Sequence, residues 1–417
     1  MKTQQRNGAM KNRPISRKKE LFFTAILLLL SLSVCAGLYL STIVWRSNNS
    51  LSEHSRWRHF GTYRPDENYG SFPKPDTLTY HSLENGERVP AIFDKNGFRI
   101  PFGEDEEHVR SSLCRILFLG GSFTHGNGVL AEKTFAYLTA NALNASAMNA
   151  GGAGWGLSQM VLRARDVIPR LKPDIVVVQY SNWLPGRSLR FYTPTNWGKV
   201  PAPYFYESGG IIGIHQPVFQ SVNFKVPISE FAGEGLPTFL WKVGIPLFIQ
   251  DDYLVLRTAL KSRLGTLDLP ITSREKAVNF AYKEIQQLCS SNGARMLILV
   301  IPGGINDHPK DSLDAFSWRV VRTLEPLTRR LPEPTPEAWA ASYKFWRGYP
   351  PRIVDHHPSA RMHAAIAETL IGAIRQFEYD NQLLEPNKAL QDAVNRATKL
   401  GHGTGHGQVA SRLRLRL

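Results

Sequence analysis

The sequence predicts an α/β protein, a parallel sheet layered between helices and preceded by one membrane-spanning helix. Three observations carry this expectation. From residue 115 onward, short apolar or β-branched runs alternate with segments of helical spacing, and repeated strand–helix units fold into a parallel sheet with helices on both faces. The runs Ile175-Val176-Val177-Val178 and Met296 to Ile301 are apolar throughout, as in strands buried on both faces. Leu21 to Trp45 holds 25 residues without a charge, more than the roughly 20 apolar residues that span a bilayer core.

Composition narrows the function classes. The 417 residues are 42% hydrophobic and 20% charged, which excludes a wholly disordered, collagen-like or coiled-coil chain. Three cysteines exclude a disulfide scaffold. A disulfide between Cys114 and Cys289 stays open, beside the reading of both as buried thiols. The net charge of +15 is concentrated at the ends: residues 1–20 carry seven Lys/Arg against one Glu, and residues 383–417 carry six against Glu385 and Asp392. Elsewhere the two signs are interspersed, so no nucleic-acid partner is expected.

The N-terminal apolar run is longer than the ~7–15 residues of a signal-peptide core. Tyr39 and Trp45 near its far end suit an interfacial aromatic belt. Arg17, Lys18 and Lys19 flank its near end, and Arg46 is the one basic residue just past the other. The positive-inside rule then places residues 1–20 in the cytoplasm as a basic tail, 21–45 across the membrane, and the rest outside. Two alternatives compete. Leu32-Ser33-Val34-Cys35 is a loose lipobox, and the run suits a buried core helix. The ten further apolar residues past Cys35 argue against the first, and the basic run against the second.

Residues 46–110 read as a stalk followed by a small β element, with tight turns at Glu84-Asn85-Gly86 and Lys95-Asn96-Gly97. The main domain is expected over 111–378. Its first strand is Ile116-Leu117-Phe118-Leu119, stopped by two glycines. Phe135–Ala145 has helical spacing, Ala147-Met148-Asn149 leads into glycines, and Leu157–Ile168 is helical again. Residues 274–289 predict a helix ending near Asn292-Gly293. Arg352-Ile353-Val354 is a last short strand, and Ser359 is placed to cap a final helix to about Arg375. Residues 184–272 interrupt the alternation with a Pro-, Gly- and aromatic-rich insertion that reads as a cap over the strand ends. Residues 379–417 read as a mobile tail, with metal binding by the GHGTGHG patch as the alternative.

In open α/β sheets, ligands bind outside the carboxyl ends of the strands. Four residue sets fall there. Gly120-Gly121-Ser122 presents a hydroxyl beside small residues that allow close backbone approach. Asn149 to Gly156 holds four glycines in eight residues, and exposed backbone N–H groups suit a developing oxyanion. A nucleotide loop is the rival, but the spacing is neither GxGxxG nor a Walker motif. Asn182 offers an amide donor to the same rim, or a turn cap. Asp355-His356-His357 pairs an imidazole with a carboxylate, the usual general base and its orienting group. Metal ligation by His356 and His357 is the rival reading there.

Together these segments resemble the four blocks of the SGNH/GDSL hydrolase superfamily. FLGGSFTHGNGV resembles its nucleophile block, NAGGAGWG its glycine block, VVVQYSNW its asparagine block and VDHHPSARMH its Asp/His block. KNGFRIP resembles a segment common in membrane-tethered members. The resemblance covers roughly 90–378 except 184–272. It implies a flavodoxin-like three-layer fold, Ser122 as nucleophile, and an oxyanion hole from the Ser122 N–H, the Gly154 N–H and the Asn182 side chain. It also implies His357 as base, Asp355 as its orienting partner, and a backbone-shaping role for Gly151. No metal and no cofactor are expected. The chain departs from the pattern at Gly121 and Trp183, where the family often has Asp. It also lacks the Gly before Asn182, and its Asp lies two rather than three residues before the His.

The resemblance implies acyl transfer through an acyl-serine. Release to water makes an esterase, and release to a sugar hydroxyl makes an O-acyltransferase. Tethered members often act on acetyl groups of envelope glycans, so an acyl ester or glycan substrate is expected. So are a multi-span acyl-donor protein as partner and a location in the inner (cytoplasmic) membrane, single-pass, with the catalytic domain on the periplasmic side. Trp183, Trp197 and Trp241 suit either sugar stacking or packing. The alternative is a catalytically silent binding or assembly subunit of a membrane complex.

Overall fold

The computed structural model describes residues 17–57, 62–83, 87–103, 114–195, 198–217, 263–265, 268–316, 319–347 and 352–381. Trp197, Trp241, the turn at 84–86, most of the expected cap, the basic tail before Arg17 and the segment after Asn381 lie outside them. In chain order the elements are α1 (Arg17–Trp57), β1 (Tyr63–Asp66), β2 (Gly70–Pro73), β3 (Thr77–Ser82), β4 (Arg88–Phe93), β5 (Arg99–Ile100), β6 (Arg115–Leu119) and α2 (Ser122–His125). A 3-10 turn (Ala131–Lys133) follows, then α3 (Phe135–Ala142), β7 (Ser146–Asn149), α4 (Leu157–Leu171), β8 (Ile175–Tyr180) and α5 (Leu184–Arg187). Two hairpins come next: β9 (Tyr192–Thr195) with β10 (Gly198–Pro201), and β11 (Tyr204–Ser208) with β12 (Ile211–His215). The chain continues through α6 (Arg274–Ser291), β13 (Arg295–Val300), β14 (Arg319–Arg322), α7 (Leu324–Thr328), α8 (Pro336–Tyr343), β15 (Phe345–Arg347), β16 (Arg352–Asp355) and α9 (Ala360–Asn381).

The fold is mixed α/β. Its eight-stranded sheet runs β14-β13-β8-β6-β7-β5-β4-β3. The five strands β14, β13, β8, β6 and β7 are mutually parallel. Numbered along the chain, the parallel strands stand in the order 2-1-3-4-5, the flavodoxin-like arrangement. Its switch point falls between β6 and β8, the strands that precede Ser122 and Asn182. Every residue of β8 is buried, as a strand covered on both faces requires.

Two apolar layers enclose the sheet. One is built by α4 and α6 (Leu157, Met160, Val161, Ala164, Val167, Ala277, Ala281, Ile285) against Leu117, Val176, Val178 and Ile298. The other is built by α3, α8 and α9 (Phe135, Ala140, Trp339, Met362, Ile366, Leu370) against Ile116, Phe118, Val177 and Leu299.

Three features differ from the sequence-based expectation. Arg352–Asp355 is a strand, but it pairs antiparallel with β15 outside the main sheet; the fifth parallel strand is Arg319–Arg322 beside β13. The β element before the main domain extends the sheet, with β5 pairing antiparallel to β7 at Arg99↔Asn149. Residues 63–73, within the expected stalk, form the hairpin β1–β2. Its aromatic residues bind it to the main domain: Tyr69 stacks on Trp155 at 5.3 Å, and the Trp155 indole N–H donates to the Ser71 carbonyl at 3.0 Å.

Within α1, Arg17–Tyr39 is one stretch long and apolar enough to cross a membrane, with a mean hydropathy of 2.5. Its Leu and Phe side chains are exposed rather than packed. Among the described residues Cys35, Cys114 and Cys289 form no disulfide, and burial pushes the Cys289 thiol up to about 12. The final helix begins just after Ser359, whose hydroxyl has no partner among the described residues and so does not cap it.

Candidate active site

Strand β6 ends at Leu119, and Gly120-Gly121 turn the chain so that Ser122 opens α2. A Cβ on Gly120 would lie 2.1 Å from the Thr124 hydroxyl and 2.5 Å from Gln179 Oε1, so only glycine fits there. Gln179, buried in β8, holds the turn that carries Ser122. Its Oε1 accepts from the Gly121 N–H at 3.0 Å, the Thr124 N–H at 3.3 Å and the Thr124 hydroxyl at 2.8 Å. Its Nε2 donates to the Ser181 hydroxyl, which donates to the Ile301 carbonyl. Replacement by Leu strands three donors in the core, each costing about 1–3 kcal/mol. We expect Gln179→Leu to lower stability by about 3 kcal/mol or more in urea unfolding; an unchanged midpoint would contradict this role.

The glycine loop follows β7. Of its four amides from Gly151 to Gly154, three are engaged: Gly151 N–H to Asn149 Oδ1, Gly152 N–H to the Gly120 carbonyl, and Ala153 N–H to the Tyr63 hydroxyl. The Gly154 N–H and the Ser122 N–H donate to no acceptor among the described residues. Gly154 has a left-handed φ of 77°, which favours glycine. A Cβ on Gly151 would sit 2.5 Å from the His125 nitrogen, so the loop and α2 approach closely only because residue 151 has no side chain.

Asn182 lies just past β8, and its amide is engaged elsewhere. Its nitrogen donates to Asp307 Oδ1 at 2.5 Å and to the His308 carbonyl at 2.7 Å. Its oxygen accepts from the Tyr180 hydroxyl and the Lys310 N–H. In this arrangement the side chain serves the 303–311 loop. Trp183 packs edge-on against Phe123 at 4.8 Å, and a Cβ on Gly303 would lie 3.0 Å from its ring.

Asp355 ends β16, and His357 follows within two residues. The two form a tight pair: Asp355 Oδ1 accepts from His357 Nδ1 at 2.6 Å and from the His357 backbone N–H at 2.7 Å. Burial pushes the Asp355 carboxyl up, but the hydrogen bonds and charge of His357 outweigh it, and the net shift is downward. The His357 ring meets Phe123, the residue after Ser122, edge-on, with centroids 5.8 Å apart. Among the described residues neither the Ser122 hydroxyl nor His357 Nε2 makes a hydrogen bond, so the Ser–His contact is not closed here; such contacts often tighten only with substrate.

Behind α2 lies a buried polar cluster with no counterpart among the strand-end motifs. His125 faces the Gly151 carbonyl with Nδ1 at 3.1 Å and His81 Nε2 with Nε2 at 3.0 Å. The carbonyl requires a proton on His125 Nδ1, so His81 Nε2–H is the donor between the rings. Burial, then the charge of Arg99, hold both histidines well below the ordinary value. Arg99 ties the turn together by donating to the carbonyls of His125, Gly126 and Val129. Lys344 was also missed; it is 8% exposed and lies 5.4 Å from the Phe123 ring centroid. Among the described residues no three His, Cys, Asp or Glu side chains group as a metal site would need.

No family model matches the chain, and no curated protein does. Among solved structures it is similar to a carbohydrate esterase family 2 enzyme with a carbohydrate-binding domain from Corynascus thermopiles (Myceliophthora fergusii). The identity there is 14% and the TM-score 0.29, covering 69% of this chain and 70% of that one. It is also similar to a putative lipolytic protein of the G-D-S-L family from Desulfitobacterium hafniense DCB-2, at 9% identity and TM-score 0.27, covering 62% and 97%.

Proposed function

We propose that this chain is a serine esterase or O-acyltransferase of the SGNH type, anchored in a membrane by α1, with the acyl group passing through Ser122. The observation that carries the reading is the pair of uncommitted amides, Ser122 N–H and Gly154 N–H, at the ends of adjacent parallel strands. They stand beside a serine with the Asp355–His357 pair packed on its neighbour Phe123.

The mechanism follows from these groups. Asp355 fixes His357 with its proton on Nδ1, leaving Nε2 as the basic nitrogen. Nε2 takes the Ser122 proton as Oγ attacks the ester carbonyl. The carbonyl oxygen becomes an oxyanion held by the two amides, each donor contributing about 10²–10³ in rate. His357 then protonates the leaving alcohol, and water or a sugar hydroxyl releases the acyl group from Ser122 by the reverse sequence.

Hydrolysis and transfer share these steps. The test that separates them is turnover of an acetyl ester by the full chain in detergent, with and without an oligosaccharide acceptor. Free acetate as the sole product supports an esterase, and acetylated oligosaccharide supports a transferase. We further propose an envelope glycan as the natural substrate, a multi-span acyl-donor protein as partner, and an active domain on the periplasmic side of the inner membrane. A reporter fused after Glu378 tests the topology: activity only in the cytoplasm overturns it.

One observation favours a second reading, a catalytically silent binding or assembly subunit. Both donors of Asn182 are engaged by Asp307 and His308, leaving two hole donors rather than three. Glycan binding by Ser122→Ala equal to wild type, with no turnover by the wild type, would support that reading.

A further inference from the structure

The peptide unit between His356 and His357 is held at both polar ends. Its N–H, on His357, donates to Asp355 Oδ1 at 2.7 Å. Its C=O, on His356, accepts from Lys344 Nζ at 2.5 Å. Lys344 leads into β15, the partner of the strand that carries Asp355. Its ammonium also lies 5.4 Å from the Phe123 ring centroid, and the His357 ring packs on the same Phe123. One buried cation thus touches both the segment that carries the base and the residue next to the nucleophile. Among the described residues it forms no direct ion pair, an unusual state for a buried lysine.

We propose that Lys344 is a positioning residue: its ammonium and the Asp355 carboxylate clamp the two ends of the 356–357 peptide and so aim the His357 ring across Phe123 toward Ser122. The inference rests on the reading of His357 as the base. A charged donor makes a hydrogen bond roughly twice as strong as a neutral one, so the clamp weakens when Lys344 loses its proton. Burial brings that loss down to about pH 8, opposed by the charges of Asp355 and Asp307, the acidic groups that face it. Position matters because a shift of about 1 Å in a reacting group can cost about 10²-fold in rate.

The test compares wild type, Lys344→Met and Lys344→Arg as full chains in detergent. Two readouts are taken: the pH profile of acetyl-ester turnover, and the hydrogen exchange of the 355–357 amides. Lys344→Met is expected to lower kcat at least about 10-fold with KM little changed. Lys344→Arg, which keeps its charge, is expected to restore kcat and extend activity past about pH 9. Exchange at His357 is expected to speed up in the Met variant and not in the Arg variant. A Met variant with wild-type kcat, pH profile and exchange overturns the inference. If the wild type shows no Ser122-dependent turnover, it is the esterase reading that fails; the exchange comparison then decides the clamp by itself, with unchanged exchange in the Met variant overturning it.

Discussion

Ser122→Ala is expected to lower acetyl-ester turnover by about 10⁴–10⁶-fold, the effect of removing a nucleophile from a unit that works together. The fold should survive. Ser122 makes no side-chain hydrogen bond among the described residues, and α2 is held by Gln179 and Arg99. His357→Ala should be about as severe, and the double variant little worse, because serine and base act in one step. Asp355→Asn is the sharper test. Its Oδ1 accepts from both the His357 ring and the His357 backbone N–H. An amide there presents a donor and favours the wrong tautomer, for a loss of about 10⁴ in kcat. Circular dichroism spectra that match the wild type would show these losses to be chemical rather than structural. Turnover within tenfold of wild type for Ser122→Ala would remove the acyl-serine from the account.

The second large effect is acid unfolding. His81, His125 and His363 are buried and held neutral. Burial is the first cause in each case, with Arg99 next, and it takes His363 down to about 3. The ordinary value is about 6.5. Between the folded and ordinary values the unfolded chain binds more protons, so stability rises with pH across that window. The contribution is complete above about pH 6.5 and is lost as the pH falls below it. Each histidine gives a slope of about 1.4 kcal/mol per pH unit, so the three together give about 4 kcal/mol per unit. Asp355, with its lowered carboxyl, adds in the same direction at lower pH. Geometry gives the same sign: a proton on His125 Nε2 sets a second N–H against the His81 Nε2–H that it faces. Urea unfolding of the full chain in detergent at pH 7 and pH 5 measures the slope. His363→Phe should reduce it by about a third, whatever its effect at neutral pH. A stability that does not change between the two pH values would contradict the neutral-histidine cluster.

The parallel sheet was legible because its strands are short continuous apolar runs stopped by glycine or proline. Ile175 to Val178 sit in β8, and all of Met296 to Ile301 except the last residue sits in β13. The fifth strand was not legible: Arg319–Arg322 reads Arg-Val-Val-Arg, too short and too charged at its ends to stand out. Arg352-Ile353-Val354 has strand chemistry, but nothing local says which strand it pairs with, and tertiary placement sends it to β15. Gly-Gly-Ser, the glycine loop, Asn182 and Asp-His-His were legible as strand-end chemistry because the fold class says where to look. What those side chains touch was not. The Asn182 amide meets Asp307 across 125 residues, and His81 meets His125 across 44. Gln179 left a faint signal, a polar residue inside an apolar run. Lys344 left none, since its meaning depends on a carbonyl twelve residues on.

The most direct test of the central claim is reaction of the full-length chain with a fluorophosphonate, followed by mass-spectrometric location of the adduct. The account predicts a single adduct on Ser122, absent in Ser122→Ala and slowed at least about 100-fold in His357→Ala. No adduct on a folded chain, or an adduct on another residue with Ser122 untouched, would contradict it.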